Sequence, residues 1–309
     1  MPSNQSPLGA LPARFRRERV LIVGCGDIGL RVAAGLGQRL KLLALTSSST
    51  RVGELRARAI TPLRGDLDRP QSLARLAGLA TRVVHLAPPR GEGDPQWWRD
   101  TRTWALLRAL RLRTPPVAIV YGSTSGVYGD CGGERVTESR PPRPRTPRAQ
   151  RRLDAEQAIR HYGRAANVRA AILRIPGIYA PDRKGGTPRE RLRKGTAVLA
   201  REDDVYTNHI HADDLARAVI AALWRGKPQR VYNVSDDTEL KMGDYFDLAA
   251  DLYGLPRPPR VPRSTAQDEL PLMLLSFMSE SRRLVNQRMK KELRLRLRHA
   301  TVASGLSPS

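Results

Sequence analysis

The chain has 309 residues, 40% hydrophobic, 27% charged and only 5% aromatic, with a formal net charge of +24. No apolar run approaches the roughly 18 residues of a membrane-spanning helix, and two cysteines, Cys25 and Cys131, exclude a disulfide framework and fit a reducing cytoplasm. Nearly all of the 54 basic residues are arginines spread along the whole chain, and aromatics do not interleave with them. The charge therefore predicts only non-specific, salt-sensitive contact with nucleic acid, not a dedicated binding arm.

Residues 1–17 carry Pro2, Pro7, Pro12 and several arginines without the apolar segment of a secretory signal, and read as a disordered tail. Val20-Leu21-Ile22-Val23 then reads as a buried parallel strand. Gly24, Gly26 and Gly29 follow at G-x-G-x-x-G spacing, and Leu30 to Leu40 reads as a helix. Gly24 suits the tight turn, Gly26 the close approach of a pyrophosphate, and Gly29 the packing of helix on sheet. Free N–H groups and the helix dipole then favour phosphate. The competing reading is a glycine-rich turn without a ligand.

Further strands are expected at Lys41–Leu45, Ala59–Leu63, Arg82–Ala87, Val117–Tyr121 and Ala170–Ile175. Between them lie helices at Gln71–Gly78 and Trp97–Arg113, the latter with Trp97, Trp104, Leu107 and Leu110 near helical spacing. Strand–helix alternation predicts an α/β fold, a Rossmann-type doubly wound parallel sheet covered on both faces. Beyond Ile175 strands shorten and loops lengthen, with helices at Asp213–Trp224 and Met242–Tyr253. Residues 18–175 are thus read as a dinucleotide-binding domain. Residues 176–309 are read as a smaller substrate lobe, interleaved with the sheet, over the strand ends.

The second strand ends in Thr46-Ser47-Ser48-Ser49-Thr50-Arg51, with no carboxylate before Glu54. An acid there would accept from the ribose 2′-OH of NAD, whereas hydroxyls and a guanidinium suit a 2′-phosphate. NADP is expected, with NAD the less favoured cofactor.

Several segments in order resemble the extended short-chain dehydrogenase/reductase family, the NAD(P)-dependent sugar epimerases and dehydratases. They are the glycine turn, Gly65-Asp66-Leu67, Val84-His85-Leu86-Ala87, Ser123-Thr124-Ser125-Gly126-Val127-Tyr128-Gly129, Leu173 to Pro181, and His209 to Ala216. The resemblance implies cofactor contacts from Gly24, Gly26, Asp27, Ile28 and Gly29, and from Thr46, Ser47, Ser48 and Arg51. It adds Asp66, Leu67, Leu86, Ala87 and Pro88, then Thr124, Arg152 and Pro176. Thr124 aligns with the family's catalytic Ser/Thr. Where the family places Tyr-x-x-x-Lys, however, this chain reads Pro147-Arg148-Ala149-Gln150-Arg151-Arg152-Leu153-Asp154-Ala155-Glu156. Arg148 holds the tyrosine position and Arg152 the lysine position. A guanidinium does not release its proton near neutral pH, so the usual proton transfer is missing. The pattern resembles the atypical branch of the superfamily, YeeZ-like proteins in particular.

Thr124 and Tyr128 are the candidate catalytic residues. The alternative for Tyr128 is a packed tyrosine with a satisfied hydroxyl. His209 or His211 is a further proton-donor candidate against a local hydrogen-bonding role, and Asp213-Asp214 reads as a helix cap. No metal is expected. The substrate is expected to be a small molecule, anionic or bearing a carbonyl or hydroxyl group. Two functions follow: an oxidoreductase or epimerase-like enzyme with a non-standard acid, or a non-catalytic NADP(H)-binding sensor or interaction protein.

Overall fold

The computed structural model describes residues 18–37, 40–91, 96–269 and 278–307. The expected N-terminal tail lies outside them. Among the described residues seven strands form the main sheet: β1 (Arg19–Val23), β2 (Lys41–Thr46), β3 (Thr61–Arg64), β4 (Arg82–His85), β5 (Ala118–Thr124), β6 (Arg169–Ile175) and β7 (Arg230–Asn233). Their order is β7-β6-β5-β4-β1-β2-β3, and every ladder is parallel. The order reverses beside β1, which opens a crevice at the carboxyl ends of β1 and β4, the usual ligand position in such sheets.

Because side chains alternate across a strand, Val20 and Ile22 of β1 enter one core and Leu21 and Val23 the other. The first core is closed by helices α1 (Asp27–Leu36) and, later in the chain, residues 212–225. After α2 (Arg51–Ala57), helices α3 (Thr101–Arg111) and α4 (Pro147–Ala165) close the second through Leu106, Leu110, Ile159 and Tyr162. The helix at 212–225 is α5 (Ala212–Arg225), and it leads directly into β7. The layer thus draws on residues past Ile175. A third cluster, with Tyr179, Leu199, Tyr245, Phe246 and Leu306, forms the lobe around α6 (Met242–Tyr253).

Several boundaries differ from the sequence expectation, for local reasons. Gly26 is already the N-cap of α1, so the helix starts at Asp27, and it stops at Leu36 because Gly37 takes φ +64°. Ala59 adopts φ +57° after α2, which delays β3 to Thr61. The segment expected as a helix at Gln71–Gly78 is a 3-10 helix, Pro70–Leu76. Asp100 caps α3 by accepting from Thr103 N–H, so Trp97 falls outside the helix and is 53% exposed. The seventh strand, Val231-Tyr232 at its centre, went unread because four residues give too short a pattern. No helix among the described residues is long and apolar enough to cross a membrane.

Candidate functional site

The parallel sheet carries most of the expected cofactor residues to one edge. Register pairs Val23 with Leu45 and His85, Thr46 with Arg64, and Thr124 with Ile175. The segments following these strands, with Gly24, Ser47, Asp66, Leu86, Ala87, Pro88 and Pro176, therefore emerge on one side. Leu67 follows Asp66 and is half-buried.

At the glycine turn, Gly24 has φ +88°, and a Cβ there would sit 2.3 Å from the Ala87 nitrogen. The β1 and β4 loops thus meet backbone to backbone. Gly29 is buried, with its own added Cβ 3.0 Å from the Gly24 carbonyl oxygen, so α1 rests directly on the turn. Gly26 is the reverse: a Cβ would meet nothing within 4 Å. Gly26 and Asp27 are exposed and Ile28 half-buried. The first N–H groups of a helix have no partner within it. An open space over unsatisfied donors at the positive end of a helix fits a pyrophosphate.

Arg51 leans onto this turn. Its Nη1 donates to the Cys25 carbonyl at 2.7 Å and its Nε to Glu54 at 3.1 Å. Thr46 is buried and its Oγ1 accepts from Ser48 N–H, while the Ser48 and Thr50 hydroxyls lie 2.6 Å apart. The hydroxyl-rich loop and the guanidinium therefore border the open space together. Asp66 Oδ1 accepts from Asp68 N–H. Cys25 is 3% exposed and burial raises its thiol pKa, which suits a filler rather than a nucleophile.

The edge at β5 and β6 is built differently. Thr124 ends β5 half-buried and its Oγ1 accepts from Gly126 N–H at 3.3 Å. Tyr128 is 1% exposed, and its hydroxyl donates to Asn233 Oδ1 at 2.7 Å. Desolvation raises its pKa, and the Arg174 guanidinium lies 4.5 Å from its ring centroid. The hydroxyl proton is already committed inside the protein, as the packed-tyrosine alternative describes. Arg174 also pairs with Glu156 at 2.8 Å, both side chains 2% exposed, and Ser123 donates to the same carboxylate at 2.6 Å. The sequence pattern marks Glu156 only as part of a frame and gives no sign of this buried chain.

Arg152 is buried against β5, donating from Nη1 to the Gly122 carbonyl at 2.6 Å and to the Tyr121 hydroxyl at 3.2 Å. One turn earlier, Arg148 is solvent-exposed and has no hydrogen bond or ion pair among the described residues. The start of α4 reaches the end of β5: a Cβ on Gly126 would lie 3.8 Å from Ala149 Cβ. Behind them, Thr103 Oγ1 donates to Asp100 at 2.7 Å and therefore accepts from His85 Nε2 at 2.8 Å. Burial, then Arg152, pushes the His85 pKa down to about 3, so it is a neutral structural group.

The histidines of the lobe are packed among aromatic rings. His209 is buried and stacked on Tyr245 at 4.3 Å, and burial followed by Arg191 lowers its pKa to about 4. His211 Nδ1 accepts from Asp213 N–H and caps α5. The Asp213-Asp214 pair is not that cap. Asp213 binds Arg31 at 2.5 Å, whereas buried Asp214 accepts from the Arg298 and His299 N–H groups at 2.8–3.0 Å. Asp214 therefore fastens the C-terminal segment to the sheet layer, a contact with no short-range signal in the sequence. Ligand atoms of His211, Asp213 and His299 lie within 4.8 Å of one another. His211 Nδ1 and Asp213 are nevertheless engaged as described.

Residues 20–235 match the NAD dependent epimerase/dehydratase family. Among curated relatives, GDP-6-deoxy-D-mannose reductase of Pseudomonas aeruginosa is 28% identical over 211 residues, covering 62% of this chain and 69% of that protein. A dTDP-glucose 4,6-dehydratase of Mycobacterium tuberculosis is 29% identical over 198 residues, 59% of each chain. The match thus spans about three fifths to two thirds of these relatives. Among solved structures, a functionally unknown conserved protein of Silicibacter pomeroyi is 28% identical with a TM-score of 0.74, covering 94% of this chain and 96% of that one. A dTDP-glucose 4,6-dehydratase double mutant of Streptomyces venezuelae, with NAD and DAU bound, shares the fold at a TM-score of 0.75 and 21% identity, covering 93% and 95%. The chain belongs to the NAD dependent epimerase/dehydratase family.

Proposed function

We propose that this family member is an NADP(H)-dependent oxidoreductase or epimerase-like enzyme for a small anionic substrate with a carbonyl or hydroxyl group, working without the Tyr-x-x-x-Lys pair. Its fit to the atypical branch rests on that missing pair, and to YeeZ-like proteins in particular on the stretches Ser125–Glu134 and Asp204–Asp214. The observation that carries the reading is Arg148, an exposed guanidinium without a hydrogen-bond or ion-pair partner among the described residues, next to Ala149, which reaches the loop after β5; the resemblance aligns it with the family's tyrosine. The turn's free N–H groups would hold the pyrophosphate and Arg51 with the Ser/Thr loop the 2′-phosphate. Asp66 and Leu67 would border the adenine, and Leu86, Ala87, Pro88, Arg152 and Pro176 the ribose and nicotinamide side. The bound dinucleotide would supply hydride transfer.

Thr124 would donate a hydrogen bond to the reacting oxygen and pass to it a proton that bulk water replaces, which completes the alcohol after hydride transfer. Arg148 would bind the substrate's anionic group or stabilise charge developing on that oxygen, which a guanidinium does electrostatically without losing a proton. Tyr128, satisfied by Asn233, would hold the Thr124 loop in place and act through position rather than proton transfer. A screen of carboxylated and phosphorylated aldehydes, ketones and alcohols with both cofactors tests this. Turnover restricted to uncharged substrates would contradict it.

One observation favours the second reading, an NADP(H)-binding sensor or interaction protein: Tyr128 and His85 are buried and hydrogen-bonded inside the protein, and His209 is buried against Tyr245. Tight NADPH binding with no turnover across the screen would select it.

A further inference from the structure

An open groove of about 550 Å³ runs between α1, α5 and the C-terminal segment. Its floor is a stripe of α5, Ala216, Ile220 and Trp224, joined by Leu295. Successive members of the stripe are four residues apart, so they form one helical ridge about 12 Å long at 1.5 Å per residue. Its rim is arginine: Arg31, Arg217, Arg225, Arg294 and Arg298, against the single carboxylate of Asp213. That carboxylate is already taken by Arg31.

The walls are fixed in place. Arg217 Nη1 donates to Asp214 and to the Arg296 carbonyl, Arg225 Nη1 to the Leu293 carbonyl, and Asp214 holds the Arg298 N–H. Two guanidiniums remain uncommitted. The Arg294 and Arg298 side chains are exposed and carry no hydrogen bond or ion pair among the described residues. Arg294 also takes φ +51° just past the helix at Gln287–Glu292, a position that favours glycine.

We infer that this groove is a second ligand site, for an organic phosphate with a flat apolar body. The apolar ridge would take the body, and Arg294 and Arg298 the phosphate, which guanidinium forks match. The volume is that of a small-ligand pocket. The phosphate could belong to a free metabolite or to a nucleic-acid strand; the compact apolar floor favours the free molecule, since a strand binds by an extended basic track with stacking aromatics.

The probe is 4-methylumbelliferyl phosphate, titrated into the full chain by calorimetry with saturating NADPH present, so that the glycine turn is not the reporter. Binding is expected to persist under NADPH and to weaken about tenfold or more in Arg294→Glu/Arg298→Glu. Loss by a similar factor is expected for 4-methylumbelliferone and for inorganic phosphate, each of which lacks half of the ligand. Both arginines are exposed and unpaired, so the variant's melting temperature should match wild type. Displacement by NADPH, unchanged affinity in the double variant, or equal binding of inorganic phosphate would each overturn the inference. So would binding of a short oligothymidylate that needs these arginines while the aryl phosphate fails to bind.

Discussion

The two halves of the sheet edge use their residues in opposite ways. Around β1 and β2, the backbone does the positioning. Gly26 leaves open space, the α1 N–H groups are free, and Arg51 is anchored by one nitrogen to the Cys25 carbonyl. Around β5 and β6, side chains are spent on one another: Ser123 on Glu156, Glu156 on Arg174, Tyr128 on Asn233, Arg152 on Gly122. A site can therefore keep the family's sequence frame while its titratable groups serve as scaffold. On the proposed reading, the chemistry there falls to Thr124 and to Arg148, which is unpaired among the described residues.

The largest expected effect tests the saturated half. Glu156→Leu leaves the Arg174 guanidinium buried without its partner, and breaking such a pair costs roughly 3–5 kcal/mol. Urea denaturation should show that loss; a variant as stable as wild type would mean the buried chain is not structural. Gly26→Val tests the open half. Its Cβ meets nothing within 4 Å, so the fold should hold while dinucleotide affinity falls about 100-fold, or nearly 3 kcal/mol. Equal affinity would place the dinucleotide elsewhere. Tyr128→Phe leaves the Asn233 acceptor unpaired, at a cost of about 1–3 kcal/mol in stability, read by thermal denaturation. On the proposed 2′-phosphate site, Arg51→Asp should weaken NADPH about tenfold relative to NADH. Calorimetric titration with both cofactors checks this, and an unchanged ratio would remove Arg51 from the 2′-phosphate site.

The same contrast explains what could be read in the sequence. The open half depends on short-range features: a β-branched run, three glycines, a hydroxyl loop within a few residues. The sheet followed from such features, apart from β7, whose short run carried little periodicity. The saturated half depends on partners far apart in the chain, Tyr128 with Asn233 and Ser123 with Glu156, and no local spacing encodes them. Asp214 shows this most plainly. Its place at the start of α5 suggested a cap, but its partners are N–H groups at Arg298 and His299. Trp97 failed for a local reason, because Asp100 begins α3 after it.

The proposed chemistry stands or falls on which residue the substrate meets at the end of β5. The direct measurement is steady-state NADPH oxidation with an anionic carbonyl substrate found in the screen, comparing wild type, Arg148→Gln and Tyr128→Phe. KM is expected to rise about tenfold or more in Arg148→Gln, as loss of a charged pair implies, while Tyr128→Phe, which removes only a positioning bond, lowers kcat by less than about tenfold. Activity abolished in Tyr128→Phe and untouched in Arg148→Gln would contradict the account and restore Tyr128 as the proton donor.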